Sequence, residues 1–168
     1  MTDLPAEPGA YILLVDLDRP LALDIPTLAP ATLPPGRYAY CGSARGPGGI
    51  RARVGRHLRF AASRPILDPS RSPTRPPIEH TSVGGRVGER DGSSSSPDGK
   101  RPHWHIDRLT GPGRVVLASA YPDGHECTLF ARLLSHPGVT VPVPGFGSTD
   151  CRRCQSHLAA VPPGFTPP

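Results

Sequence analysis

Residues 38–58, YAYCGSARGPGGIRARVGRHL, read as a short strand, a glycine-rich turn and a basic helix. Tyr38, Tyr40 and Cys41 favour a pleated strand, and Gly42 with Ser43 reads as its end. Gly46, Pro47, Gly48 and Gly49 break regular structure and suit a helix entry. Ile50, Val54 and Leu58 then recur at four-residue steps, so the spacing predicts an apolar stripe on a helix from about Gly49 to Phe60. Arg53 and His57 share that step and are expected side by side along the edge of the stripe, while Arg51, Arg56 and Arg59 fan over the remaining surface. A strand-end tyrosine facing an Arg/His pair across a turn suits the binding of a phosphate and chemistry on it.

Outward from this stretch, residues 1–8 read as a loose leader and Gly9–Asp16 as a first strand. Pro20–Ile25 alternates well enough for a second strand, paired with the first as a hairpin, and 27–36 is a proline-punctuated loop. From Ala62 to Arg101 Pro, Ser, Gly and Arg dominate and hydrophobic spacing disappears. Such a segment cannot bury enough apolar surface to offset its ordering entropy, and reads as a disordered insertion, either a weak DNA-binding arm or a solvated spacer. Beyond it, 103–109 (HWHIDRL) looks like a short helix, Arg114–Tyr121 a central strand, and Gly124–Ser135 a second helix with Cys127, Phe130, Ala131 and Leu134 as its apolar face. Val139–Val143 reads as a short edge strand, and Gly145–Ala160 as a glycine-led turn followed by a helix from about Cys154. These elements predict an α/β (α+β) fold, a small mixed, largely antiparallel sheet flanked by helices, in a single domain over 1–168.

The 24 prolines and 19 glycines leave less of the chain than usual for helix and strand, and one Trp, four Tyr and four Phe imply a small core. A net charge of +5 and a pI near 9.4 suit a polyanionic partner, nucleic acid first. No apolar stretch approaches the roughly 20 residues of a membrane span. The start, MTDLPAEPGAY, lacks a basic-then-apolar signal pattern, so a cytoplasmic protein without a membrane partner is expected. In that compartment the four cysteines are thiols or metal ligands before they are disulfides.

Gly9-Ala10-Tyr11 and Tyr40-Cys41-Gly42 together resemble the paired signature of the GIY-YIG nuclease superfamily, with Ala10 and Cys41 in place of the two isoleucines. The segments YAYCGSARGPGGIRARVGRHLR, HWHIDRL, HEC and GFGSTDCRRCQSHL are similar to one branch of it, whose members occur alone or fused to DNA-repair enzymes. The match covers most of residues 9–161 apart from the insertion. The resemblance implies two tripeptides on neighbouring strands, an arginine and a histidine on the first helix (Arg53 and His57), and a glutamate on a later helix (Glu126) that binds Mg²⁺ or Mn²⁺. It implies metal-dependent cleavage of DNA, with a DNA-repair protein as a further partner.

Phosphodiester hydrolysis needs an activated water, charge stabilisation at phosphorus and help for the leaving oxygen. Tyr11 or Tyr40 would place or deprotonate the water, which a phenol does only beside a cation or metal. Arg53 would pair with phosphate oxygens through its planar fork, and His57 would shuttle a proton or bind phosphate. Arg45, Arg51, Arg56, Arg59, His103 and His105 are the expected nucleic-acid contacts. On a strand, His103, His105 and Asp107 would share one face as a metal constellation; on a helical turn they splay, and then pack or face DNA, and the segment reads as a wall of the active site. Cys151-x-x-Cys154-x-x-His157 has zinc-ligand spacing, with Cys127 as a fourth ligand; alternatively Cys127 is a core thiol, and Asp150 and His157 orient the tail. Two other classes compete with the nuclease: a catalytically silent nucleic-acid-binding module and a zinc-stabilised interaction protein.

Overall fold

The apolar run from Tyr11 to Val15 is uninterrupted on both sides of a strand, and a strand of that kind belongs in the middle of a sheet. In the computed structural model, which describes residues 4–62, 104–149 and 151–168, it forms β1 (Gly9–Leu17). The elements that follow are β2 (Leu21–Leu23), β3 (Ala31–Leu33), β4 (Gly36–Ala44), α1 (Gly49–Ala62), α2 (His105–Thr110), β5 (Arg114–Pro122), α3 (Glu126–Leu134) and β6 (Leu158–Val161). The main sheet has the order β5-β1-β4-β6, and all three pairings are antiparallel. The mixed α/β architecture expected from the sequence is therefore present. The two tripeptides lie on adjacent strands, with Tyr11 opposite Gly42 and Leu13 opposite Tyr40. At the far end Asp16 faces Arg37 and Arg114 across both its neighbours and bonds each guanidinium, at 2.6 and 3.2 Å, which reinforces that register.

Period-two alternation divides the core. Tyr11, Leu13, Val15, Tyr38 and Tyr40 face Ile50 and Val54 of α1 and Ile106 and Leu109 of α2. Ala10, Ile12, Leu14, Ala39 and Cys41 face Leu129, Phe130 and Leu133 of α3. The two middle residues that depart from the isoleucine pattern thus lie under α3, away from the tyrosines. Gly42 is required where it stands: a Cβ there would fall 2.2 Å from the Tyr11 ring, so the ring lies directly over the glycine.

Several expectations are corrected. Residues 4–8 are anchored: the carbonyls of Pro5 and Glu7 accept the N–H groups of Arg51 and Ile50 at 2.8 and 3.1 Å and so satisfy the start of α1. β2 pairs with β3, inside the expected loop, and not with β1. β4 runs on through Gly42 and Ser43 because β1 pairs with it to Ala44. β5 is an edge strand, half-buried along most of its length. Residues 139–143 supply one isolated bridge, Thr140 to Ala160, flanked by prolines that cannot donate. The expected last helix is β6, because the open edge of β4 offers ladder partners that outweigh the helix propensity of Leu158-Ala159-Ala160. His57 lies within the apolar stripe of α1 and not on its edge, buried with Ile50 and Val54. The expected insertion lies outside the described residues except for Ala62, which closes α1; His103 and Asp150 also lie outside them.

On α3 the buried set is Leu129, Phe130 and Leu133, whereas Leu134 is 39 % exposed. Leu133→Ala is expected to cost about 2–5 kcal/mol of folding stability and Leu134→Ala less than about 1 kcal/mol. Urea denaturation of the two variants measures this, and equal losses would contradict the assigned face.

Candidate active site and metal centre

A hydroxyl, an imidazole and a carboxylate from three separate elements meet inside the α1 face of the sheet. The Tyr11 hydroxyl lies 2.9 Å from His57 Nε2, and His57 Nδ1 lies 3.0 Å from Asp107 Oδ1. The three residues are 2, 1 and 5 % exposed. A carboxylate only accepts, so His57 Nδ1 carries a proton; in the neutral ring Nε2 then accepts from the Tyr11 hydroxyl. The second oxygen of Asp107 accepts the Trp104 N–H at 3.3 Å and caps the start of α2. Burial pushes the Asp107 carboxyl up, but the hydrogen bond and charge of His57, with the Trp104 N–H and Arg56, hold it below its ordinary value.

The Tyr40 ring stands beside that of Tyr11, with centroids 6.4 Å apart. Burial pushes both phenols well above their ordinary value, while Arg53 opposes the shift on each. The Asp107 carboxylate adds to the upward shift of both phenols. Arg53 and Arg56 place their guanidinium carbons 5.0 and 5.2 Å from the centroid of the half-exposed Trp104 ring. These two arginines, with Gly46, Pro47, Gly49 and Ala52, line a depression of about 220 Å³. One guanidinium nitrogen of Arg56, Nη2, is buried without a hydrogen-bond partner. A cationic wall with unspent donor capacity is suited to an oxyanion such as a phosphate.

Glu126 opens α3 on the opposite face of the sheet, and its Oε2 is buried without a partner. An orphaned carboxylate oxygen of this kind fits a bound cation. Arg45 ties the approach to α3, donating from Nη2 to the Gly124 carbonyl at 3.2 Å and to His125 Nδ1 at 3.0 Å. The remaining expected nucleic-acid contacts differ in fate. Arg59 is exposed, and Arg51 donates to the Leu4 carbonyl at 2.7 Å. His105 spends its ring on the protein: Nδ1 accepts the Gly147 N–H at 2.9 Å and Nε2 lies 3.3 Å from Thr27 Oγ1. Because α2 begins at His105, that ring and Asp107 diverge, and the strand-like metal constellation does not form.

Among the described residues, one group of side chains has the arrangement of a metal site: Cys127, Cys151, Cys154 and His157, with ligand atoms all within 4.8 Å of one another. All three thiols are free and partly exposed, and the Cys127 and Cys151 sulfurs are 3.4 Å apart. Burial raises the Cys127 and Cys154 thiols. Burial acts on Cys151 too, but the backbone N–H groups of Arg153 and Cys154 help to hold it below its ordinary value. The imidazole of His157 is buried, its Nε2 has no hydrogen-bond partner, and burial lowers its affinity for a proton.

An α/β domain with a two-tyrosine site on one face and a Cys₃His cluster on the other is the class these features define. The chain belongs to the family described as a domain of unknown function, DUF123, which matches residues 10–165. No curated protein and no solved structure matches the chain.

Asp107, which the sequence offered only with His103 and His105 as a metal constellation or an active-site wall, is instead the hydrogen-bond partner of His57. Its signal was an acid in the first turn of a helix, which reads equally well as a cap. Because its carboxyl is depressed in the folded state, its stabilising contribution is complete above the ordinary value near ~4 and is lost as pH falls through the folded value. Asp107→Asn is therefore expected to be less stable than wild type by about 1–3 kcal/mol at neutral pH, with the gap narrowing on acidification. Urea titrations across pH 2–7 measure it; a gap independent of pH would contradict the depressed carboxyl.

Proposed function

We propose that the chain is a metal-dependent DNA endonuclease of the GIY-YIG type, hydrolysing phosphodiester bonds, with Mg²⁺ or Mn²⁺ at Glu126. The observation that carries this reading is the adjacency of Tyr11 and Tyr40 on neighbouring strands with His57 bonded to the first phenol. Arg53 and Arg56 would hold the phosphate oxygens beside Trp104, and the sequence charge of +5 favours that encounter. Ionisation of Tyr11 would pass its proton to His57 Nε2, and Asp107 would balance the imidazolium. Tyr40 would orient the attacking water from the other side. Glu126, with its unpartnered oxygen, would hold the divalent cation, which when bound supplies charge neutralisation at phosphorus.

The Cys₃His cluster belongs to this reading as a separate, structural Zn²⁺ site. A cytoplasmic role in DNA repair, alone or beside a repair protein, follows from the company kept by the branch that the sequence resembles. The competing silent binding module gains support from the burial of both phenols, which opposes formation of a phenolate. The zinc-stabilised interaction protein makes the cluster the whole purpose of the chain and leaves the two-tyrosine site without work.

Purified protein incubated with plasmid, nicked and branched DNA and Mg²⁺ or Mn²⁺ is expected to cut at least one of them. Arg53→Ala and Glu126→Ala should lower the rate by roughly 10²-fold or more while remaining folded. Absence of cutting with either metal, with DNA binding unchanged in both variants, would favour the silent module instead.

A further inference from the structure

Cys127 lies in the first turn of α3, whereas Cys151, Cys154 and His157 come from the tail that enters β6. The stretch from Gly145 to His157 has no described helix or strand; turn bonds such as Gly145 N–H to the Gln155 carbonyl at 2.7 Å shape it, and the cluster would tie it to α3. Three thiols and an imidazole form a soft donor set without a carboxylate, which selects zinc over magnesium or calcium. Zinc–sulfur bonds of about 2.3 Å at tetrahedral angles put sulfurs about 3.8 Å apart, close to the 3.4 Å between Cys127 and Cys151. Four protein ligands close the coordination sphere, as in structural and not catalytic zinc sites.

The surroundings of the ligands agree. His157 Nε2 is buried and orphaned, a costly state that a metal relieves. The His157 backbone is fixed on both sides, donating to the Phe146 carbonyl at 2.8 Å and accepting the Cys41 N–H at 2.9 Å.

The cluster also touches the other site. Glu126 precedes Cys127 at the start of α3, where its Oε2 is buried without a partner. Gly147 lies between His157 and Tyr40: a Cβ on it would stand 3.4 Å from His157 Cβ and 2.7 Å from the Tyr40 ring. We infer that Cys127, Cys151, Cys154 and His157 hold one tetrahedral zinc ion that pins the tail to α3, and so keeps the Gly147 backbone against Tyr40. The ion itself stands independently of the nuclease reading; only its effect on cleavage rests on that reading.

The full chain, purified under reducing conditions from zinc-replete medium without chelator, is the material for the test. Mass-spectrometric metal analysis is expected to find one zinc per chain, and replacement by Co²⁺ to give thiolate charge-transfer and tetrahedral d–d absorption. Removal of zinc with a chelator should lower the thermal midpoint and, where the protein cuts DNA, slow cutting by roughly 10–100-fold, with recovery on adding zinc but not magnesium. Cys151→Ser and His157→Ala should lose zinc; if neither folds, the cobalt spectrum of the wild-type chain still decides. Zinc-free protein with accessible thiols, or a Cys127–Cys151 disulfide in place of the metal, overturns the site. Bound zinc whose removal changes neither the thermal midpoint nor cleavage overturns the pinning role. Stoichiometric zinc with the expected stability loss, in a protein that cuts no DNA, supports the site and counts against the nuclease.

Discussion

Three buried polar groups, the Tyr11 hydroxyl, the His57 imidazole and the Asp107 carboxylate, can be accommodated only if each meets the next. Removing one would leave its neighbour unsatisfied, at a cost of about 1–3 kcal/mol or more for a charge. Because the groups come from β1, α1 and α2, the chain fixes both helices on the same face of the sheet. It also dictates what may lie beneath: Tyr11 reaches His57 only by lying flat over Gly42, where no side chain has room. The packing of this half of the core and the chemistry of the site are thus one constraint.

The opposite face is organised differently. There α3 covers Ala10, Ile12 and Cys41 with ordinary apolar packing, and the irregular tail is gathered by the Cys₃His cluster. The two faces communicate at the end of the sheet, where Gly147 donates to His105 and crowds the Tyr40 ring, and where Glu126 begins its helix beside Cys127. A small sheet with few aromatic residues can hold its buried polar groups in place in this way, with hydrogen bonds on one side and the Cys₃His cluster on the other.

Much of this was legible in the chain. β1, β4, α1 and α3 follow from periodicity and from glycine punctuation, and the site arginines follow from helix spacing. The neighbouring placement of the two tripeptides was implied by the resemblance. What was hidden depended on partners far away in sequence. His57 reads as a residue at the edge of the stripe until Asp107, fifty positions later, is known to meet it. Leu158–Val161 is a strand because β4 has an open edge, not because of its own residues. Leu133 and Leu134 both suit a helix, and only the position of the sheet decides which is buried. CxxCxxH spacing alone was ambiguous, and Cys127 completes the cluster only once α3 is docked.

The central claim is that the end of the sheet carrying Tyr11, Tyr40 and Glu126 is a reaction centre and not merely a packed corner. Mn²⁺ added to isotope-labelled protein with its zinc in place, observed by NMR, tests it most directly. Selective broadening of the amides around Glu126 and Tyr40, abolished by Glu126→Gln, is the predicted result. Broadening elsewhere, or broadening at this end of the sheet that survives the substitution, would contradict the account.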